Sequence, residues 1–474
     1  MNDYLKFLES KRLTIPDSGF EPYPIKSPLY DFQAAITKWA IRKGKVCIWA
    51  DCGLGKTPIA LEWCRQVCKK TNKPVLILTP LAVAHQFVEE GNKFGIVVKL
   101  CREYSDIENT GIHVTNYDRI DHFNTDQFIG ICLDESSVLK DYNSTTRNLI
   151  IESFAETPYK LACTATPAPN DFIELGNHAE FIGAMSRTEM LSMFFVHDGG
   201  ETQKWRLKGH AKQDFWKWVS TWAVALKKPS DIGFNDNRFN LPPLNIHEQE
   251  VHLGNDFANS RGMLFVDAQT LEDQRAVRRE SLPKRVSIAA EMINASSEPW
   301  IVWCDLNTES QELTKSIPDS VEVTGSDSIE EKESRIWSFL KGHKRVLVSK
   351  PSICGWGLNM QHCHNVAFVG ITHSFEQWYQ AIRRSWRFGQ TSPVECHIII
   401  SDADHAVLSN LRRKQREAEE MIIGMVHNMS DLSKPELKKT SRTFTGYDPK
   451  INMIIPDWLK SERGINESPQ SDHY

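Results

Sequence analysis

Along the first half of the chain, short runs of apolar and β-branched residues alternate with longer stretches whose apolar positions recur at helical spacing. That is the pattern of β-α-β units around a parallel sheet. Four runs, Lys45 to Ala50, Val75 to Thr79, Phe128 to Leu133 and Tyr159 to Thr164, are apolar through the middle and end at a polar or turn-forming residue. Strands covered on both faces read this way, and the functional residues of such a sheet gather at the strands' carboxyl ends. A second alternating block begins near Ser297, with strands predicted at Trp300 to Cys304, Ser320 to Val323, Arg345 to Ser349, Asn365 to Val369 and Val394 to Ile400. The predicted fold class is therefore α/β, two parallel-sheet lobes with a short helical insertion and linker between them.

The pattern divides the chain into an N-terminal extension at 1–24, a first lobe at 25–185, the insertion and linker at 186–245, a second lobe at 246–430 and a tail at 431–474. Within the insertion, Phe215, Trp218 and Trp222 recur at helical spacing and predict an amphipathic helix that buries its aromatics. Residues 271 to 293 form a second strongly helical stretch.

Composition changes this picture little. With 41% hydrophobic and 25% charged residues the chain is an ordinary globular one. Its 56 Lys and Arg against 61 Asp and Glu exclude a global basic field, so any contact with nucleic acid must be a local stripe. Candidate stripes are Lys204 to Lys212, Arg412-Arg413-Lys414 and Lys438-Lys439. No apolar run approaches the ~20 residues of a membrane span, and the amino terminus lacks a leader pattern. The eleven Cys lie mostly inside apolar runs without metal-like spacing. Buried, reduced thiols and a cytoplasmic location are the expectation.

Directly after the first strand comes Ala50-Asp51-Cys52-Gly53-Leu54-Gly55-Lys56-Thr57, and then a helical pattern. Strand, glycine-rich loop and helix in that order form a phosphate cradle: backbone N–H groups and the helix amino end supply positive potential. Lys56 then reaches the terminal phosphates of ATP and Thr57 holds Mg2+. The loop departs from the full Walker A pattern at Ala50, where glycine is usual.

The third run ends in Asp134-Glu135-Ser136-Ser137, a Walker B arrangement. Asp134 is the expected metal carboxylate, and Glu135 the group that polarises the attacking water. Thr164 and Thr166, in Cys163-Thr164-Ala165-Thr166-Pro167, are placed to bond the acidic pair. In the second block, Gln380 to Gln390 sets Arg384 and Arg387 three apart, read as one face of a helix, to neutralise phosphoryl charge from the opposite lobe. Before it, Ser349 to Ser352 and Gly355 to Gln361 form a glycine-punctuated loop, with Ser352 and Gly357 as candidates for nucleic-acid and ribose contact.

Taken in order, these segments resemble superfamily 2 helicases and translocases, and the Arg-Phe-Gly-Gln ending of Arg387 to Gln390 is similar to the Swi/Snf-type branch, in compact form like those of phages and mobile elements. The resemblance implies two RecA-like lobes of the P-loop NTPase class that hydrolyse ATP between them and move along duplex DNA. It gives Gln33 the reading of adenine, Thr79-Pro80 the place of motif Ia, and Thr164, Thr166, Ser352 and Gln380 coupling or nucleic-acid roles. Asp134-Glu135-Ser136-Ser137 departs from the spellings that mark the RNA-helicase branches. The alternatives are an RNA-dependent helicase or remodeller, a nonmotor module switched by nucleotide, and a motor subunit with restriction or replication partners.

Overall fold

The computed structural model describes residues 17–438 except 81–82, 198–204, 237, 252–270, 356–357, 372–373 and 402–403. The first lobe is built on a seven-stranded sheet from β1 (Lys45–Ala50), β2 (Pro74–Thr79), β3 (Val98–Leu100), β4 (Gly111–Asn116), β5 (Gly130–Asp134), β6 (Tyr159–Thr164) and β9 (Ala223–Leu226), in the order β3-β4-β2-β5-β6-β1-β9. Every pairing is parallel. The second sheet, also parallel throughout, runs β10-β15-β14-β11-β13-β12. Its strands are β10 (Leu244–Val251), β11 (Trp300–Cys304), β12 (Ser320–Val323), β13 (Val346–Ser349), β14 (Asn365–Val369) and β15 (Val394–Ser401). Strands β2, β5, β11, β13 and β14 are buried at every position, as sheets clothed in helices on both faces require.

Local chemistry sets the helices that bear on the site. Helix α1 (Asp31–Lys43) starts where Gln33 folds back to accept from the Tyr30 N–H and stops at Gly44, φ +78°. Helix α2 (Lys56–Thr71) starts at Gly55, φ +83°, a left-handed position glycine adopts without strain, and stops at Asn72. The first lobe thus delivers strand ends and helix starts to the site.

The region 186–245 is not only helical. Helix α3 (Leu175–Ile182) leads, through a further short helix over Arg187–Phe194, to an antiparallel hairpin of β7 (Phe195–His197) and β8 (Trp205–Leu207), helix α4 (Lys212–Ser220), and then β9, which completes the first sheet beside β1. Ala223–Leu226 is four residues long and carries no polar alternation, so its strand character comes from pairing with β1 and not from its own pattern. Strands β3, β4 and β10 were equally absent from the hydrophobic pattern; β10 is exposed along most of its length. Phe215, Trp218 and Trp222 are buried to within 2% in one aromatic cluster, which leaves none of them open to stack on a base. Leu271–Asn294 is the expected helix, α5.

The last described element, α7 (His405–Lys438), follows the short α6 (Phe375–Ile382) and β15. At 34 residues it is about 50 Å long. Near its start Arg412 pairs with Glu248 of β10 on the second lobe. Met425, Val426 and Met429 pack into the first lobe's aromatic cluster with Trp216, Trp218 and Trp222. Its end is tied down by Ser430, which donates to the Asp231 carbonyl, and by Glu436, which accepts from the Trp39 indole at 3.1 Å. The helix runs past the residue-430 boundary, where Leu437 is buried in the core cluster that includes Trp39 of α1.

Replacing Trp218 with Ala should cost about 3–5 kcal/mol, from lost burial plus the cavity left behind. Urea unfolding will read this, and limited proteolysis should cut α7 faster. A loss below about 1 kcal/mol would mean that α7 and the aromatic cluster are held independently.

Candidate active site between the lobes

The loop after β1 is shaped by Gly53 and Gly55, both at positive φ (+84° and +83°). Gly53 also meets the other lobe: a Cβ there would lie 2.7 Å from the Phe388 backbone nitrogen. Lys56 donates to the Ala50 carbonyl at 2.9 Å and the Asp51 carbonyl at 3.4 Å, at the loop's mouth. Thr57 follows on the first turn of α2. Gln33 is buried and donates to the Leu54 carbonyl at 3.0 Å while accepting from the Tyr30 N–H, so it braces the loop from α1. Cys52 and Leu54 are buried beneath the loop.

Asp134 and Glu135 end β5 side by side, each less than a tenth exposed. Burial pushes the Asp134 carboxyl up to about 7, and Glu135 beside it pushes the same way; Lys56, Arg384 and Arg387 are close enough to pull it back down. Glu135 stands at φ +61°, a left-handed conformation that costs a non-glycine residue roughly 1–2 kcal/mol. In return its Oε1 accepts from Thr164 Oγ1 at 2.6 Å and Ser137 Oγ at 3.1 Å. The Asp134 carbonyl accepts from Tyr117. Ser136 pairs with His178 of α3 at 3.1 Å, an imidazole that burial lowers to about 4 and so keeps neutral. The Ser-Ser spelling after the acidic pair thus has a local use: one hydroxyl orients Glu135, the other anchors the turn.

From Glu135 a chain of hydrogen bonds crosses to the second lobe. Thr164 Oγ1, which donates to Glu135, accepts from the Thr166 N–H at 3.0 Å. Thr166 Oγ1 accepts from Gln380 Nε2 at 3.3 Å, and Gln380 Oε1 accepts from Arg384 Nη2 at 2.6 Å. Arg384 is buried, with further bonds to the Gln380 and Leu358 carbonyls. Arg387 is lowered to about 10 by burial and by Arg384 beside it, and its Nε has no partner.

Arg384 and Arg387 do not share a helical face. Helix α6 ends at Ile382, and residues 383–389 are turns, because the Arg384 carbonyl accepts from Met360 N–H and the Trp386 indole is drawn to the Pro242 carbonyl. The turns still bring both guanidinium groups near Asp134. Arg383, between α6 and Arg384, was not singled out by sequence. It is 1% exposed and pairs with Asp51 of the phosphate loop at 2.6 Å; Tyr379 donates to the same oxygen at 3.2 Å. Burial alone would lower the Arg383 guanidinium, yet Asp51 beside it raises it overall. The only hint in the sequence was a third arginine in the same cluster.

Other expected contacts fare differently. Thr79 is wholly buried and its hydroxyl bonds the Pro80 and Thr115 carbonyls, so it has no side-chain group to offer a nucleic acid, whereas Pro80 is half-buried. Ser352 is exposed. Gly357 lies outside the described residues, as do Lys204 and Lys439. Lys208 donates to the Ser192 and Met193 carbonyls, and Arg413 pairs with Glu417. All eleven cysteines are unbridged, and all but Cys68 are buried. Among the described residues no helix is long and apolar enough to cross a membrane.

The donor set near the loop is all oxygen, the Thr57 hydroxyl and the Asp134 carboxylate, which suits a hard cation such as Mg2+. Burial first, and then the neighbouring Glu135, hold the Asp134 carboxyl up. No cluster of three or more His, Cys, Asp or Glu among the described residues would hold a metal alone, so a cation here needs phosphate oxygens as well.

Two parallel-sheet lobes with a phosphate loop on one and buried arginines on the other define a P-loop ATPase of the helicase kind, with RecA-like lobes. Residues 26–169 match the family model described as type III restriction enzyme, res subunit, and residues 284–389 match the helicase conserved C-terminal domain. With both halves present in this order, the chain belongs to the superfamily 2 helicases, nucleotide-binding enzymes that hydrolyse ATP. No curated protein matches it. Among solved structures it is similar to the Sulfolobus solfataricus SWI2/SNF2 ATPase core in complex with dsDNA, at 19% identity over 89% of this chain and 99% of that one, TM-score 0.40.

Because the folded Asp134 carboxyl lies above its unfolded value of 3.8, the fold loses stability as pH rises from about 4 to about 7, and no more beyond. Asp134→Asn should therefore raise the melting temperature at pH 8 without divalent cations, and the gain should vanish toward pH 4. Equal melting curves at pH 8 would show that Asp134 carries no such burden.

Proposed function

We propose that this chain is an ATP-driven translocase on duplex DNA, of the Swi/Snf-like branch. The supporting observation is the hydrogen-bond chain Glu135, Thr164, Thr166, Gln380, Arg384, which joins the hydrolytic carboxylate of one lobe to an arginine of the other. Such a chain is complete only when the lobes are docked, so hydrolysis and lobe movement become one event.

In this reading the Gly53–Thr57 loop binds the triphosphate through its backbone N–H groups, and Lys56 neutralises its end. Gln33 positions the loop and, with its edge released, the adenine. Glu135 orients the attacking water and takes up proton density. Arg384 and Arg387 stabilise the charge on the transferring phosphoryl oxygens. Thr57 and Asp134 would hold Mg2+, which supplies charge neutralisation between the phosphates. DNA lies across both lobes and is gripped through its phosphates, hence without sequence preference and with strong salt dependence.

Purified protein should show ATP turnover stimulated about tenfold or more by duplex DNA, less by single strands and least by RNA. Glu135→Gln should abolish it. Gln380→Ala should lower the stimulated kcat about tenfold, since it removes the bridge between Thr166 and Arg384. Stimulation by RNA alone would favour the RNA-dependent reading, and absence of any stimulation with Lys56→Ala unchanged would leave only a switch.

A further inference from the structure

Of the three arginines in this turn, Arg384 is joined through Gln380 to Thr166 and so to Glu135, whereas Arg383 faces the phosphate loop. Arg383 Nη2 lies 2.6 Å from Asp51 Oδ1 and donates to the Cys52 carbonyl at 3.4 Å. The same Asp51 oxygen accepts from Tyr379 at 3.2 Å and from its neighbour's backbone, Cys52 N–H, at 2.7 Å. The Trp386 ring lies 5.0 Å and the Tyr379 ring 5.7 Å from the guanidinium carbon. An apolar cavity walled by Trp49, Leu226, Trp386 and Met421 borders the pair. Little water screens it.

Asp51 is thus an anion built into a loop whose task is to bind another anion. Left uncompensated it opposes the triphosphate, because like charges at a partly buried site repel more strongly than in water. The only charge that neutralises Asp51 belongs, among the described ion pairs, to the other lobe. Docking of the second lobe removes the opposition, and separation of the lobes restores it.

We propose that the Asp51–Arg383 pair makes affinity for the nucleotide depend on lobe closure, with Arg383 acting as a positioning residue through Asp51 and not on the phosphates. Closure then tightens ATP binding and, by reciprocity, bound nucleotide favours closure. Opening after hydrolysis re-exposes the Asp51 charge beside the product and speeds its release. The inference rests on the reading of Gly53–Thr57 as the nucleotide site and adds to it a device for letting go.

The test is a double-mutant cycle on the full chain, with ATP binding measured by calorimetry, KM and kcat by steady-state turnover, and folding by thermal melting. Arg383→Met should weaken ATP binding about tenfold or more, because it strands Asp51. Asp51→Asn should bind ATP at least as tightly as the parent and release ADP more slowly. The double variant should recover to within about threefold of Asp51→Asn, and Arg383→Lys should retain most of the affinity. Asp51→Asn keeps the question answerable if Arg383→Met does not fold. A double variant as weak as Arg383→Met alone would place Arg383 on the nucleotide itself and overturn the proposal, as would Asp51→Asn binding more weakly than the parent. A parent chain that binds ATP but ignores DNA would count against the translocase reading and leave this one standing. A parent that binds no ATP sinks both.

Discussion

The Glu135 carboxylate, held at a strained φ of +61° by hydroxyls from its own lobe and linked through Thr166 and Gln380 to Arg384, is the contact on which the arrangement depends. Every link is a buried polar group whose partner is another buried polar group. A buried donor or acceptor without a partner is costly, so such a chain is stable only when complete. Completion requires both lobes. The strain at Glu135 is offset by the Thr164 and Ser137 hydroxyls, while Lys56, Arg384 and Arg387 only partly relieve the burial of Asp134.

The fold serves this contact. Parallel sheets place all their functional ends on one edge, and two such edges facing each other form a cleft lined by strand ends and turns. Helix α7 keeps the two sheets in register by starting on one lobe and finishing in the other's aromatic cluster. The apolar core is itself continuous across the cleft, running from Phe32 and Leu54 through Phe239 of the linker to Phe388. Lobe docking therefore buries apolar surface as well as joining charges, which lets a short polar chain at the centre act as a sensor without being the sole adhesive.

The arginine turn shows how one sequence segment divides its labour. Arg384 is bridged through Gln380 toward Glu135 and Arg383 grips Asp51, although the two are adjacent. A helix would have put residues 384 and 387 on one side and left 383 about 100° away from 384. The turn, fixed by Met360 and Pro242, redistributes these directions so that loop and carboxylates are both reached.

Residue order alone determined the phosphate loop, the acidic pair and the two central sets of strands, because strand burial and glycine requirements are local and leave a local mark. Lys45–Ala50, Tyr159–Thr164, Trp300–Cys304 and Asn365–Val369 needed nothing beyond their own composition to be read. Strands β3, β4, β9 and β10 were decided by the sheets they join, since a short or exposed segment becomes a strand only when a neighbour offers its hydrogen-bonding edge. The Asp51–Arg383 pair, the Gln380 bridge and the long reach of α7 belong to the same category. They join residues 164 or more positions apart, and such pairings are settled by the packing of two lobes, which no run of neighbouring side chains encodes.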